Sequence, residues 1–101
     1  MALMQLTIVP LGTGTASVGQ EVAEVLAVLK REEIPFTLTD MGTIIEGPAP
    51  QLLELAARLH ELSFSEKIQR VVTHITLDDR RDKKVHLGDK IASVEKHTAT
   101  R

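Results

Sequence analysis

Two glycines follow the first β-like segment at a spacing that could let backbone amides hold a phosphate. Gly12 and Gly14 come just after Pro10, but Ser17 stands where the dinucleotide-binding fingerprint requires its third glycine. The chain also lacks the parallel strand-helix array that this fingerprint needs. A tight turn leading into a helix therefore explains both glycines, and the helix N-terminus keeps the capacity to hold a phosphate-bearing ligand.

The histidines do not have the spacing of a metal site. They fall on separate predicted elements and form no paired pattern such as HExxH; they are His60, His74, His86 and His97. We interpret them as surface residues and predict no bound metal. With no cysteine, disulfides, thiolate zinc sites and cysteine nucleophiles are excluded. No serine, histidine and acid arrangement stands out, so we predict no catalytic residues and no required cofactor.

The carboxylates offer two candidate positions. Glu46 closes an otherwise apolar segment just before Gly47, and it is either a ligand acceptor or an exposed residue at a strand end. A second group alternates acids and bases from Asp78 to Lys84. Because opposite charges in so short a segment largely cancel, this group predicts a solvated turn or an ion-pair patch between subunits.

The bulk composition predicts one small domain, residues 1–101. A chain of this size buries roughly 65% of the surface that its unfolded form exposes. Twelve basic and fourteen acidic residues give a formal charge of −2, so we expect no nucleic-acid partner. No apolar run is long enough for a bilayer, and the N-terminus lacks the pattern of a signal peptide. We therefore expect a cytoplasmic protein without a membrane partner.

Hydrophobic periodicity predicts four strands and three helices. A two-residue period is typical of strands, whereas apolar residues three and four apart indicate a helix. The predicted order is strand 4–10, a helix from Ser17 to before Pro35, strands 36–39 and 43–46, a helix ending near Leu62, strand 71–77, a charged loop 78–84, and a short tail helix marked by Leu87, Ile91, Val94 and Thr98.

The short link of Asp40, Met41 and Gly42 requires antiparallel neighbours on either side of it. The order then predicts an α+β, ferredoxin-like βαββαβ fold. It has a four-stranded antiparallel sheet with two helices on one face, plus a short C-terminal helix. By alternation, the other face presents Gln5, Thr7, Val9, Thr37, Thr39, Ile44, Glu46, Val72, His74 and Thr76. A half-apolar sheet face usually meets another protein surface, so we expect a homo-oligomer.

Three segments of the chain together resemble the thiamine-binding protein family. They are Ile8 to Gly14, Met41 to Gly47, and Arg70 to Thr73 continuing to Asp78 to Lys83. The middle segment, glycine-threonine, two aliphatics and glutamate-glycine, is the most specific. The resemblance covers nearly the whole chain and implies a homo-oligomer, commonly a tetramer of paired sheets. It also implies a non-catalytic protein that binds thiamine or a related pyrimidine.

The same resemblance implies ligand-binding roles for Thr43, Glu46, Thr73, Asp79 and Arg80, which fall inside the matching segments. Hydroxyls and one carboxylate can satisfy the polar groups of an aminopyrimidine, and a carboxylate can stabilise a thiazolium cation. By strand parity, the Thr73 hydroxyl is expected to point toward the helices.

Phe36 and Phe64 are the rings available for stacking, because the chain has no Trp or Tyr. Two other classes of function remain open. One is an oligomeric regulatory or interaction module without a heterocyclic ligand. The other is an enzyme whose site forms between subunits.

Overall fold

The computed structural model describes residues 1–12, 14 and 19–99, and within them it has four strands and three helices. In chain order the elements are β1 (Ala2–Leu11), α1 (Gly19–Arg31), β2 (Phe36–Thr39), β3 (Gly42–Gly47), α2 (Ala49–Leu62), β4 (Arg70–Asp79) and α3 (Asp89–Ala99). This is the element order that the hydrophobic periodicity predicts.

β1 lies in the interior of the sheet and is paired along both edges. The strand order is β2-β3-β1-β4, and every neighbouring pair is antiparallel. Leu6 of β1 lies opposite Thr43 on one side and Ile75 on the other. The predicted ferredoxin-like arrangement is therefore confirmed.

The core lies between the sheet and the first two helices. Ala2, Met4 and Leu6 alternate along β1 and are 1%, 0% and 3% exposed. A fully buried aliphatic side chain stabilises the fold by about 1.5–3 kcal/mol relative to exposure. The helices complete this core with Val28, Leu29, Leu52, Leu55, Ala56 and Leu59. Because both helices contribute to one core, they cover the same face of the sheet, as predicted.

The other face, here called the open face, carries the side chains that alternation assigns to it. The register sets Gln5 between Ile44 and Thr76, and it sets Val9 beside Val72. These residues are exposed or half-buried. The open face consists of Leu3, Gln5, Thr7, Val9, Thr37, Thr39, Ile44, Glu46, Val72, His74, Thr76 and Asp78.

Two predicted boundaries require correction. Asp78 and Asp79 belong to β4 rather than to the charged loop, because they pair with Leu3 and Ala2 at the start of β1. The tail helix begins at Asp89, so Leu87 lies before it in the connecting segment. The predicted helix cap at Ser17 lies outside the described residues.

The hairpin between β2 and β3 is held against β1 by hydrogen bonds. The Thr7 hydroxyl of β1 donates to the carbonyl of Met41 at 3.2 Å. Within the hairpin, the Thr39 hydroxyl donates to the carbonyl of Gly42 at 2.8 Å. Gly42 has a φ of 153°, and a Cβ added there would lie 2.8 Å from the Thr7 Oγ1. Only glycine fits this position without a shift of the hairpin.

We expect Gly42→Ala to destabilise the protein more than Gly88→Ala. Both glycines have a positive φ, but a Cβ at Gly88 meets no atom within 4 Å. Gly88→Ala should therefore cost only the backbone strain, about 1–2 kcal/mol. Gly42→Ala should cost this strain and, in addition, the free energy needed to displace the Thr7 side chain. Urea unfolding of both variants measures the difference, and equal losses would show that the close approach at Gly42 carries no energetic weight.

Candidate functional site

A cavity of about 180 Å³ lies between the first helix, the central strand and the β2–β3 hairpin. Leu6, Ile8 and Thr43 line it from the sheet, while Val22 and Val25 of α1 line it from the helix side. Thr43 is 4% exposed, so almost all of this polar residue is buried. We call this space the inner cavity.

Acidic side chains complete the rim of the inner cavity. Glu21 comes from the first turn of α1, and Asp40 comes from the hairpin turn. Glu21 is half-buried and Asp40 is exposed. Leu38 and Met41 of the hairpin also line the cavity, and their side chains are largely open to solvent. The cavity is therefore apolar inside and negatively charged at its edge.

A second cavity, of about 410 Å³, adjoins the first between α1 and the C-terminal end of α2. The two spaces share Glu21, Val25 and Ser63 as lining residues. We call the second space the outer cavity. Phe64 lines it and offers a partly exposed ring of the kind on which a heterocycle can stack.

A short chain of contacts fixes the Phe64 ring. The His60 ring meets it edge to face, with centroids 5.2 Å apart and an interplanar angle of 78°. His60 Nδ1 in turn lies 2.7 Å from the Thr73 hydroxyl on β4. Thr73 therefore points toward α2, as strand parity predicts. The interpretation of His60 as a plain surface residue was wrong, because packing and this hydrogen bond half-bury it.

Glu46 lies on the open face, away from the inner and outer cavities, and it lines a third cavity of about 460 Å³ together with Gln51 and Arg58. Its Oε1 is 3.0 Å from His86 Nδ1 and accepts the Leu87 backbone N–H at 2.9 Å. The Glu46 side chain is 12% exposed, against 53% for His86. The carboxylate thus ties the segment that precedes α3 to the edge of the sheet. Its predicted role as a ligand acceptor stays a prediction.

Asp79 and Arg80 lie where β4 ends. Asp79 pairs with Arg81 at 2.9 Å, and Arg80 pairs with Asp82 at 2.6 Å. Hydrogen bonding from Arg80 holds the pKa of Asp82 below its ordinary value, and the same contact raises the pKa of Arg80. Since Arg80 and Asp82 are largely exposed, solvent screens their attraction, and the pair adds little to stability.

The fold thus brings only part of the predicted site together. On the helix-covered face, Thr43 lines the inner cavity, whereas Thr73 lies on the other side of β1 and lines neither cavity. Glu46 is on the opposite face, and Asp79 and Arg80 lie at the other end of the sheet. Sequence reasoning missed Glu21 and Asp40. Glu21 falls outside the apolar positions of the helical pattern, although it lies one position before the apolar residue Val22.

The described residues contain neither a candidate metal site nor a candidate membrane-spanning helix. Across residues 1–12, 14 and 19–99, no three His, Asp or Glu side chains are grouped to hold a metal ion. Within the same residues, no helix combines the length and apolar character needed to cross a membrane.

The chain belongs to the thiamine-binding protein family, which matches residues 4–95. It is 44% identical over 101 residues to the UPF0045 protein YqgV of Bacillus subtilis, covering 96% of this chain and 97% of that one. A UPF0045 protein of Methanothermobacter thermautotrophicus is 34% identical over 96 residues, or 94% and 97% of the two chains. The family is named for binding rather than for a reaction, which indicates a small-molecule-binding role.

Solved structures share the fold. The protein MJ1052 of Methanocaldococcus jannaschii superposes with a TM-score of 0.82 at 28% identity, over 93% of this chain and 95% of that one. A Thermotoga maritima protein proposed to act in thiamine biosynthesis or salvage gives a TM-score of 0.75 at 11% identity, over 92% and 97%. At that identity the second likeness shows the fold alone.

We expect Glu46→Ala to loosen the segment before α3. The substitution removes the acceptor of the Leu87 N–H, and a hydrogen bond of this kind contributes about 1 kcal/mol. Hydrogen exchange at the Leu87 amide, followed by NMR, should accelerate about fivefold. Glu95→Ala on the exposed surface of α3 is the matched control. Unchanged exchange at Leu87 would show that the contact does not hold this segment.

Proposed function

We propose that the protein is a non-catalytic binder of thiamine or its pyrimidine half, and that the inner cavity takes the pyrimidine ring. The observation that carries this proposal is an apolar cavity with one buried hydroxyl, Thr43, in a chain of the thiamine-binding family. Such a cavity offers a ring-sized space and one directed polar contact.

The inner cavity has room for one six-membered ring. An apolar cavity of about 150 Å³ in another protein is large enough to bind benzene. The inner cavity, at about 180 Å³, therefore suits a substituted pyrimidine rather than a fused ring system. The Thr43 hydroxyl can donate to a ring nitrogen or accept from the exocyclic amino group.

The outer cavity suits the thiazolium half of thiamine. Phe64 supplies a ring face for a cation, and Glu21 lies at the boundary between the two cavities. Thr73 acts here as a positioning residue, because it holds His60 and His60 contacts Phe64. Any ligand contact of Glu46, Asp79 or Arg80 would belong to a separate site at the other end of the sheet.

Thr43→Val should weaken thiamine binding about tenfold. The substitution keeps the shape of the buried side chain and removes its hydroxyl, so the ligand loses one hydrogen bond worth about 1–1.5 kcal/mol. Isothermal titration calorimetry measures the change. Thr76→Val, on the open face, is the control and should bind as the parent does. Equal affinity in both variants would place the ligand elsewhere, and no binding by the parent would favour an interaction module without a heterocyclic ligand.

We also propose that the protein forms a homo-oligomer through the open face, as a tetramer of paired sheets. Val9 and Val72 lie side by side on that face, and Ile44, beside Gln5, is a further apolar residue there. The nearby C-terminal helix presents two more exposed apolar side chains, Ile91 at 65% and Val94 at 59%. A second copy that covers these residues would remove their apolar surface from water. This burial would add stability to a domain whose own core is small.

Val72→Lys should weaken assembly, because an unpaired charge buried between subunits costs several kcal/mol. Ala57→Lys, on the exposed side of α2 beyond the core, should leave assembly unchanged. Sedimentation velocity across a concentration series compares the two variants with the parent. A parent protein that sediments as a monomer of 11.1 kDa at every concentration would reject the oligomer.

A further inference from the structure

The charges around the two cavities all have one sign. The described residues that line them include Glu21, Glu24 and Asp40, and among these described lining residues there is no Lys, Arg or His.

The acids are placed where the charged half of the ligand would lie. Glu21 and Glu24 line the outer cavity, together with the Phe64 ring. Glu21 is half-buried, so its field is less screened than that of a fully exposed carboxylate. A cation in the outer cavity therefore meets carboxylates and an aromatic face.

The N-terminal end of α1 does not reverse the preference of the outer cavity for a cation. A helix N-terminus carries a partial positive charge that favours anions. In α1, however, the first turn already holds Glu21, whose carboxylate matches that partial charge. A second anion placed beside it would meet a full negative charge.

We propose that the site selects the cationic, unphosphorylated form of its ligand and rejects its phosphate esters. This inference rests on the proposed function, because it assumes that a thiamine-like molecule occupies the two cavities. In thiamine, the hydroxyethyl arm that carries the phosphate esters extends from the thiazolium ring. A phosphate on that arm would therefore lie in or beside the outer cavity, close to Glu21 and Glu24.

Like charges in a partly desolvated site oppose binding strongly, and none of the described lining residues is basic. The protein would consequently handle thiamine before a phosphoryl-transfer reaction acts on it. Glu21 is the specificity-determining residue in this proposal, since it alone of the three acids lines both cavities.

Calorimetric titration with four ligands tests the charge selection. The probes are thiamine, thiamine monophosphate, thiamine diphosphate and deazathiamine, the neutral analogue in which thiophene replaces thiazolium. We expect thiamine to bind at least about tenfold more tightly than the monophosphate, and the diphosphate to bind more weakly still. Deazathiamine should bind more weakly than thiamine, because it keeps the pyrimidine contacts and loses the cation.

Glu21→Gln removes the charge of the side chain and keeps its shape, so the same experiment shows which of the two affects binding. The variant should lose about fivefold in thiamine affinity and nothing in deazathiamine affinity, as expected for one partly exposed charge pair. Glu21→Lys should reduce the difference in affinity between thiamine and thiamine monophosphate. Glu54→Gln, an exposed acid on α2 at the other end of the molecule, is the matched control and should change neither affinity.

The outcomes distinguish this inference from the function on which it rests. If no probe binds to the parent protein, the proposed function fails and the inference fails with it. If thiamine and both phosphate esters bind with equal affinity, the function stands and the charge selection is overturned. An equal loss of thiamine and deazathiamine affinity in Glu21→Gln would show that Glu21 shapes the cavity rather than selecting charge.

Discussion

The pairing of β1 along both of its edges is the constraint on which the other features depend. Its ten residues lie between β3 and β4, and the two-residue period of its side chains decides what each face of the molecule carries. A shift of one residue would send Met4 and Leu6 to the open face and bring Gln5 and Thr7 into the core. Because the shifted register would lose so much apolar burial, only the observed register is stable. The register also sets Thr43 beside Leu6, which places the buried hydroxyl at the cavity.

The cavities follow from how the helices cover this sheet. The buried residues of α1 are Val28 and Leu29, near its C-terminal end, whereas Val22 and Val25 closer to its start line open space. The side chains of α1 are therefore buried near its C-terminal end and leave open space near its start. The β2–β3 hairpin, tied to β1 through Thr7, closes the side of this space. The third cavity, of about 460 Å³, lies just beyond the C-terminal end of α1, lined by Ile34, Pro35 and Leu52.

Local patterns were enough to predict the elements and their order, because period, prolines and glycines act over a few residues. Pro48 precedes α2, and Pro50 sits in its first turn, where its fixed φ suits a helix start. The contacts of Glu46 could not be predicted in the same way, since His86 and Leu87 are about forty residues distant in the chain. The acidic rim was missed for a related reason. Whether Glu21 faces solvent or a cavity depends on what packs beside its helix, which periodicity does not specify.

The location of the ligand is tested most directly by amide NMR on nitrogen-15-labelled protein titrated with thiamine. We expect the largest chemical-shift changes in residues 20–25 of α1 and in residues 38–43 of the hairpin, which border the inner cavity. Residues 84–89 and Glu46, on the other face, should shift little. Changes confined to Glu46 and residues 84–89 would contradict the account and move the binding site to the opposite end of the sheet.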